Sequence, residues 1–150
     1  MKIGVISDTH GVLPEGVLDL FQGADAILHA GDIGPLEIVK ELEAAAPVRA
    51  VCGNMDYGKV ARLYPRTDMF ELGGLYFYLM HEPYLLDIDP RAAGVSCVVF
   101  GHTHIPTAEE KDGVLFFNPG SASRPKWGRA PTVGMLEIEG GRLKAEIIEL

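Results

Sequence analysis

The first half of the chain alternates short apolar runs with stretches of helical periodicity. The apolar runs predict buried strands over residues 2–7, 26–29 and 48–51. Between them, apolar positions at helical spacing predict helices over residues 13–22 and 36–46. This β-α-β-α-β order is typical of parallel strands joined by right-handed crossovers, so the first half is expected to build a parallel sheet.

The second half is dominated by strand patterns separated by turns that contain glycine. Three hairpins are predicted, each flanking a Gly-Gly or Asp-Gly pair: residues 69–72 with 75–80, 107–111 with 114–117, and 132–139 with 142–149. The remaining segments are a buried strand at residues 97–100, a short helix at 84–93 interrupted by Pro90, and a loop at 118–131. Two sheets packed face to face, with helices outside, account for this pattern better than a single sheet.

The composition is that of one globular domain spanning residues 1–150. Hydrophobic residues make up 47% of the positions and charged residues 23%, with no internal repeat or linker. The net charge of −8 argues against an extended nucleic acid on a broad basic surface, but bound cations would still permit a small anionic ligand. Cys52 and Cys97 lie in apolar runs and are expected to be buried thiols. Without a leader pattern or a long apolar run, a cytoplasmic protein with no membrane partner is expected.

Seven side chains able to bind metals follow the predicted strands, at or just beyond their carboxyl ends. They are Asp8, His10, Asp32, Asn54, His81, His102 and His104. Ligands gather at the carboxyl ends of strands in open α/β sheets, so these side chains are expected to meet. Carboxylate and imidazole together favour Mn, Fe, Zn, Co or Ni over calcium, and a set of this size can hold two divalent cations.

Two motifs give the strongest local signals, Asp-x-His at residues 8–10 and Gly-His-x-His at residues 101–104. If both segments are extended, the two polar side chains of each motif point to the same side. An N-cap aspartate beside an incidental histidine is an equally ordinary explanation of the first motif. Taken singly, Asp32 and Asn54 would be turn residues and His81 a core histidine, but five strand-end sites in one chain favour a metal centre. His29 lies outside the set and is expected to hold Asp32 or another ligand in place.

The ordered set of motifs resembles the calcineurin-like metallophosphoesterases. The later Asn-Pro-Gly-Ser run at residues 118–121 is similar to that of the small bacterial and archaeal phosphodiesterases, the branch that includes a retromer subunit. This resemblance implies an α/β (α+β) fold of the metallo-dependent phosphatase type, a four-layer αββα sandwich in which two mixed sheets are flanked by helices. The resemblance also implies two metal sites. Asp8, His10, Asp32 and His104 would hold the first cation. Asp32, Asn54, His81 and His102 would hold the second, with Asp32 bridging.

The chain departs from the family pattern at two positions. Many relatives carry a histidine after the asparagine, which serves as a general acid, whereas this chain has Met55. Because a thioether cannot donate a proton, activated or diester substrates are expected to react better than alkyl monoesters. The usual His-Gly-His is replaced here by His81, Glu82 and Pro83, which adds a negative charge beside the site.

The predicted reaction is hydrolysis of a small phosphodiester by a dinuclear centre. Two cations about 3.5–4 Å apart would clamp the attacking and leaving oxygens, and the hydroxide between them would attack phosphorus in line. Manganese is the favoured cofactor, with Ni, Fe, Co or Zn as alternatives. Asn54 and His102 are the candidate catalytic residues that contact the phosphoryl oxygens. Ser121 and Arg124, with Lys126, are candidate substrate contacts in the 118–131 loop.

Three other functions compete with this interpretation. A catalytically weak metal-binding scaffold for other proteins, like the retromer relative, would be free to lose ligands, whereas all seven positions are occupied here. A metallo-β-lactamase-like hydrolase would need a His-x-His-x-Asp-His cluster, which this chain lacks. A nuclease of the same family is disfavoured by the acidic charge. A cyclic nucleotide, a glycerophosphodiester and a short nucleotide diester fit equally as substrates. The hairpin at residues 132–150 either completes a sheet or forms a homo-oligomer interface.

Overall fold

The strand patterns fold as predicted into two sheets, and the computed structural model describes residues 1–150. The strands are β1 (Lys2–Ile6), β2 (Ala26–His29), β3 (Val48–Ala50), β4 (Thr67–Leu72), β5 (Leu75–Met80), β6 (Val95–Val99), β7 (Thr107–Lys111), β8 (Val114–Asn118), β9 (Thr132–Glu139) and β10 (Arg142–Glu149). The helices are α1 (Val17–Phe21), α2 (Glu37–Leu42) and α3 (Gly58–Leu63). None of these helices has the length and apolarity needed to cross a membrane.

Each sheet has five strands and is mixed. The first sheet has the order β10-β9-β1-β2-β3, with β1, β2 and β3 parallel and β9 antiparallel to β1. The second has the order β4-β5-β6-β8-β7, with β5, β6 and β8 parallel. The predicted fold class is therefore confirmed. The β9–β10 hairpin completes the first sheet at its edge.

The main core lies between the two sheets. Along β1, Ile3 and Val5 point to this interface and are fully buried, and they meet Phe77 and Phe117 from the second sheet. Alternate residues of β1 face the other way, as the two-residue period of a strand requires. The inner faces of both sheets are therefore apolar, and the polar ligands are left to the strand ends.

The helices cover the outer face of the first sheet. Phe21 of α1 packs directly over Gly4 of β1, where a Cβ atom would come within 2.7 Å of the phenyl ring. Ile38 and Leu42 of α2 and Val60 of α3 join the same core cluster. Glycine at position 4 therefore allows α1 to lie close enough to the sheet to bury its aromatic ring.

The outer face of the second sheet is covered by irregular chain. Leu86 and Ile88 pack on buried residues of β5 and β6. The helix predicted for residues 84–93 is wrong, because this segment contains only a three-residue 3-10 helix, Pro83–Leu85, followed by turns. Pro90 explains the difference, since a proline inside a helix removes a hydrogen bond and clashes with the preceding turn. The fourth layer of the sandwich is thus thin and not α-helical.

Other differences from prediction lie at helix boundaries. The first helix was predicted from residue 13 but begins at Val17, after Pro14 and after Gly16 at φ 87°. The second ends at Leu42 and continues as turns to residue 45. Helix α3 was not predicted, because Val60 is its one buried residue and a single apolar position sets no periodicity.

The three predicted hairpins and the two buried thiols are confirmed. In the turn between β7 and β8, Asp112 has φ 53° and Gly113 has φ 78°, as a type I′ turn requires. Cys52 and Cys97 are free and buried. The turn residues therefore set the strand registers locally.

Candidate metal centre

The parallel strands of both sheets end at one edge of the sandwich, and all seven candidate ligands follow them. Asp8 and His10 come after β1, Asp32 after β2 and Asn54 after β3. In the second sheet, His81 directly follows β5, and the two histidines of residues 101–104 follow β6. Backbone hydrogen bonds tie neighbouring strand ends together, for example from the Asp8 N–H to Gly31 O at 3.0 Å.

The ligand-bearing segments are turned rather than extended. Seven non-glycine residues of the chain have positive φ, and five of them are candidate ligands: Asp8 (55°), His10 (46°), Asp32 (53°), His102 (66°) and His104 (61°). The expectation that extended Asp-x-His and His-x-His segments align the side chains is therefore wrong. Left-handed residues redirect the chain just beyond each strand, and it is this turn that aims the side chains inward. Asp and His tolerate this conformation better than most residues, but it is still strained, and such strain is typical of functional sites.

Five of the ligands form a tight inner cluster. His104 Nε2 lies 3.0 Å and His10 Nε2 3.8 Å from Asp8 Oδ1. On the other side, His81 Nε2 lies 3.3 Å from Asp32 Oδ2 and 3.9 Å from Asp8 Oδ1. His10 Nε2 is also 3.8 Å from Asp32 Oδ2. Asp8, Asp32 and His81 are almost completely buried.

The inner cluster divides into two groups that could each hold a cation. Asp8, His10 and His104 form one, and Asp8, Asp32 and His81 form the other, with the ligand atoms of each group within 4.8 Å of one another. Asp8 is the residue common to both groups, whereas the resemblance implied a bridging Asp32. Asp32 Oδ2 also lies between His10 and His81. Bridging by Asp32 stays a prediction.

Asn54 and His102 lie at the rim of the inner cluster rather than within it. His102 Nδ1 is 3.1 Å from Asn54 Oδ1, and the His102 ring makes edge contacts with His81 and Tyr84 at centroid distances of 5.3 and 5.4 Å. The His102 N–H donates to Asp8 Oδ2 at 3.2 Å, which attaches the rim to the buried carboxylate. All seven predicted ligands thus belong to one site, in two layers.

Three buried ligand atoms, Asp8 Oδ1, His10 Nε2 and His81 Nε2, make no hydrogen bond of good geometry, although His104 Nε2 approaches Asp8 Oδ1 to 3.0 Å. Leaving a buried polar atom unpaired costs roughly 1–3 kcal/mol. The three atoms point into the same small space, and cations bound there would satisfy all of them. The donor set of carboxylates and imidazoles suits the borderline divalent metals predicted from the sequence. These residues therefore fit a metal centre.

Comparison with known proteins agrees with this geometry. The calcineurin-like phosphoesterase superfamily domain matches residues 1–141. The chain belongs to this superfamily. It is 39% identical to a probable metallophosphoesterase of Methanothermobacter thermautotrophicus, over 99% of this chain and 92% of that protein. It is 31% identical to the phosphodiesterase MJ0936 of Methanocaldococcus jannaschii, over 99% of this chain and 100% of that protein.

A solved structure shares the fold over nearly the whole chain. The crystal structure of wild-type Vps29 from Entamoeba histolytica, complexed with zinc, matches with a TM-score of 0.79 at 24% identity and covers 99% of both chains. At this identity the likeness concerns the fold alone. The match of the superfamily domain to residues 1–141 confirms the superfamily predicted from the motifs, and the likeness to Vps29 confirms the predicted fold.

Hydrogen bonds orient the Asp8 carboxylate of this phosphoesterase. Asp8 Oδ2 accepts from the Ser7 hydroxyl at 2.6 Å, in addition to the His102 N–H. The Ser121 and Ser123 hydroxyls donate to Asp8 O at 3.0 and 3.2 Å. The satisfied Oδ2 leaves Oδ1 facing the site. Supporting contacts of this kind fix ligand orientation and raise metal affinity.

Asn118 holds in place the segment that carries His102 and His104. Its Nδ2 donates to Gly101 O and to Thr103 Oγ1, both at 2.9 Å, and its Oδ1 accepts from the Gly120 N–H at 2.8 Å. The side chain is fully buried. The Asn-Pro-Gly-Ser run that supported the resemblance therefore shapes the segment that carries His102 and His104.

Asp56 is a residue of the site that sequence reasoning missed. Its Oδ1 accepts from the Gly34 N–H at 3.0 Å and its Oδ2 from the Gly53 N–H at 2.8 Å, so it joins the loops after β2 and β3. The Met55 N–H, in turn, donates to Asp32 Oδ1 at 2.8 Å. An Asp just after a Gly-Asn turn was the available signal, because Asp side chains commonly bond nearby backbone N–H groups.

His29 supports the ligands indirectly. Its Nδ1 accepts from the Gly31 N–H at 3.2 Å, so Nε2 carries the proton and donates to Thr9 Oγ1 at 3.0 Å. Thr9 lies between Asp8 and His10, which gives His29 a role in holding these ligands rather than a direct contact with Asp32. Complete burial lowers the pKa of His29 to about 3, so it is neutral near neutral pH.

The candidate substrate contacts occupy different environments. Ser121 is buried, with its hydroxyl engaged by Asp8 O and by the Arg124 N–H at 2.9 Å. Its observed contacts are structural, and contact with substrate stays a prediction. Arg124 has an exposed side chain, and its carbonyl oxygen lies 2.5 Å from His104 Nδ1. Arg124 is therefore placed at the mouth of the site.

Burial and neighbouring charges shift the pKa values of the three histidines of the inner cluster in different directions. Burial lowers the pKa of His10, and the Arg124 charge adds to this decrease. The neighbouring Asp8 carboxylate raises the pKa of His104 against burial and against the Lys126 charge. Burial opposes protonation of His81, but Asp32 and Asp8 still raise its pKa. Protons therefore compete with cations for His81 and His104, and metal affinity should fall as the pH decreases.

Proposed function

We propose that this protein is a dinuclear-metal phosphodiesterase. The observation that carries the proposal is the pair of ligand groups around three buried, unpartnered atoms, Asp8 Oδ1, His10 Nε2 and His81 Nε2. Relatives named metallophosphoesterase and phosphodiesterase support the same reaction class.

The inner cluster and the rim would together hold two cations, for which we expect manganese, and the mixture of oxygen and nitrogen ligands also suits Ni, Fe, Co or Zn. Such ions supply Lewis-acid stabilisation and an acidified water for in-line attack on phosphorus. Asp8, His10, Asp32 and His104 would bind the first. Asp32, Asn54, His81 and His102 would bind the second, and the charge of Asp8, which also lies beside His81, would support this second site as well. The Vps29 crystal structure contains zinc, which supports divalent metal binding by this fold.

Asn54 and His102 would act on the substrate from the exposed side of the site. Because Asn54 Oδ1 faces His102, the Asn54 Nδ2 group is free to donate to a phosphoryl oxygen. The His102 Nε2 atom is left for a ligand role, since Nδ1 is taken by Asn54. Donors placed where negative charge develops typically contribute 10²–10³-fold to kcat.

Met55 defines the substrates that react well. It follows Asn54 directly and is 61% exposed, so it occupies the side of the site where relatives carry an acid. Because a thioether cannot protonate a departing alkoxide, diesters with acidic leaving groups should react fastest. Simple phosphomonoesters should turn over more slowly.

The expected partner is a small phosphodiester rather than an extended nucleic acid or a membrane. The net charge of −8 supports the exclusion of long nucleic acids. The free thiols of Cys52 and Cys97 are compatible with the cytoplasmic location we propose. Homo-oligomers would most simply form through the exposed edge of β10, the outermost strand of the first sheet.

The test is hydrolysis of bis-p-nitrophenyl phosphate by metal-stripped protein with and without Mn²⁺. Turnover should require the metal and should disappear in Asp32→Asn. The matched control is Asp112→Asn in the β7–β8 turn, which makes the same chemical change at a left-handed residue far from the ligands. Absence of turnover with Mn²⁺, Ni²⁺, Fe²⁺, Co²⁺ and Zn²⁺ would reject the phosphodiesterase and favour the metal-binding scaffold.

A further inference from the structure

The loop at residues 118–131 is a basic segment in an acidic protein. It contains Arg124, Lys126 and Arg129 and no acidic residue, whereas the whole chain has a net charge of −8. The ion pairs outside the ligand cluster are formed by Arg49, Arg66 and Lys144, so the three cations of the loop are unpaired. Such a concentration of unpaired positive charge favours an anionic ligand.

The loop is attached directly to the metal centre. The Ser123 hydroxyl donates to Thr9 O at 2.6 Å, and the Arg124 carbonyl lies 2.5 Å from His104 Nδ1. Lys126 follows Arg124 by two residues, so its Cα lies within about 7 Å of that of Arg124. Arg124 and Lys126 therefore both lie on the side of the site that holds His104.

A strained tryptophan lies at the tip of the same loop. Trp127 has φ 54° and Gly128 has φ 68°, and the Arg129 N–H donates to Lys126 O at 3.2 Å, which together make a type I′ turn. Such turns favour Asn, Asp or Gly at the first central position. Trp127 is instead 74% exposed, so no packing within the chain explains the choice. An exposed, strained aromatic in a loop that is attached to the metal centre suggests a role in binding.

We propose that the loop from Arg124 to Trp127 binds one arm of the substrate, and that this arm is a nucleotide carrying a second phosphate. Arg124 and Lys126 would contact the second phosphate, and Trp127 would stack on the base. This inference rests on the phosphodiesterase proposed above. It selects the short nucleotide diester among the three substrate types that fit the metal centre. A 3′,5′-cyclic nucleotide has no second phosphate, and a glycerophosphodiester has no base.

Charge-assisted contacts and base stacking give the expected size of the effect. Bonds between a cationic side chain and phosphate are about twice as strong as neutral ones, and stacking on an aromatic ring is tolerant of base identity. One such phosphate contact corresponds to about a tenfold change in affinity. The loop should therefore select substrates by the presence of a second phosphate and of a base, and not by the identity of that base.

Trp127 is the single tryptophan of the chain, so its fluorescence reports on this loop alone. The Mn²⁺-loaded and metal-free proteins would be titrated with thymidine 3′,5′-bisphosphate and with thymidine 5′-monophosphate. With two such contacts, the bisphosphate should bind the loaded protein about 100-fold more tightly. Lys126→Gln should reduce this preference to about tenfold, the share of Arg124, and Lys126→Arg should retain it. Lys59→Gln, which removes a cation from the groove between α2 and α3, is the matched control and should leave the preference intact.

Turnover provides the second measurement. The 4-nitrophenyl ester of thymidine 5′-phosphate is compared with the same compound bearing a 3′-phosphate. The 4-nitrophenolate leaving group departs without a proton, so neither substrate depends on the missing general acid. The ratio of their kcat/KM values should be about 100 in the wild type and about ten in Lys126→Gln. Equal binding of the two nucleotides, or a preference that follows Lys59 instead, would overturn the proposal. Failure to hydrolyse bis-p-nitrophenyl phosphate would reject the phosphodiesterase, while the fluorescence titration would still decide the binding site.

Discussion

The inner cluster and the rim of the metal centre differ in how the protein holds them. Asp8, Asp32 and His81 are buried, and Asp8 Oδ1 and His81 Nε2 make no hydrogen bond. Asn54 and His102 are more accessible and already bond to each other. The unsatisfied atoms of the inner cluster therefore need bound cations, whereas Asn54 and His102 at the rim have a hydrogen bond without any cation. We infer that the inner cluster decides whether metal binds and that the rim decides what happens to the substrate.

The strongest way to break the inner cluster is Asp8→Asn. Asp8 belongs to both ligand groups, so loss of its charge should weaken both sites and reduce turnover at least about 10³-fold. Asparagine tolerates the left-handed backbone at this position, which isolates the effect of charge. Metal content after dialysis against Mn²⁺, measured by elemental analysis, should fall from about two ions towards none. Retention of one tightly held ion would show that the two groups do not depend on a shared Asp8.

The corresponding change at the rim is His102→Gln. The first cation should remain, while the second is weakened and kcat for bis-p-nitrophenyl phosphate falls about 10²-fold. Metal content near one ion per chain would separate this variant from Asp8→Asn. Tyr84→Phe is the matched control, because it removes only a hydroxyl that bonds to Glu82 while keeping the ring beside His102. If Asp8→Asn and His102→Gln both lose two ions, the distinction between inner cluster and rim is wrong.

The smallest expected effect is on stability and concerns His29, which supports the inner cluster through its hydrogen bonds with Thr9 and Gly31. Its pKa of about 3 in the folded chain lies below its usual value of 6.5, so the unfolded chain binds a proton that the folded chain does not. Its contribution to stability is therefore fully present above pH 6.5 and is lost as the pH falls towards 3. Between pH 7 and pH 5 this loss is about 2 kcal/mol.

Urea unfolding of the metal-free protein at the two pH values measures this effect. His29→Gln should be less stable at pH 7, because its contacts with Thr9 and Gly31 are altered, but it should lose about 2 kcal/mol less than the wild type on acidification. The comparison between the two proteins cancels the opposite influence of His81 and His104, whose pKa values are raised. An equal loss in both proteins would mean that His29 is not the group that titrates.

The sequence by itself determined the strands, the hairpins and the identity of the candidate ligands. Apolar runs and Gly-Gly or Asp-Gly turns are local signals, so β2, β5, β9 and β10 were predicted with the boundaries that the structure has. The ligand types could be read in the same way, because each follows an apolar run. Local signals were weaker for helices: Val60 alone could not reveal α3, and Pro90 overrode the helical spacing near residue 88.

Only the tertiary structure decided how the ligands meet. The left-handed turns at Asp8, Asp32 and His104 depend on backbone bonds between loops that are distant in sequence, such as the one from the His10 N–H to Asp32 O at 2.9 Å. The position of Asp8 in both groups and the link that Asp56 makes between two loops follow from the same long-range contacts. Periodicity describes one segment at a time, whereas a metal centre is assembled from several, and the packing of the two sheets brings their strand ends together.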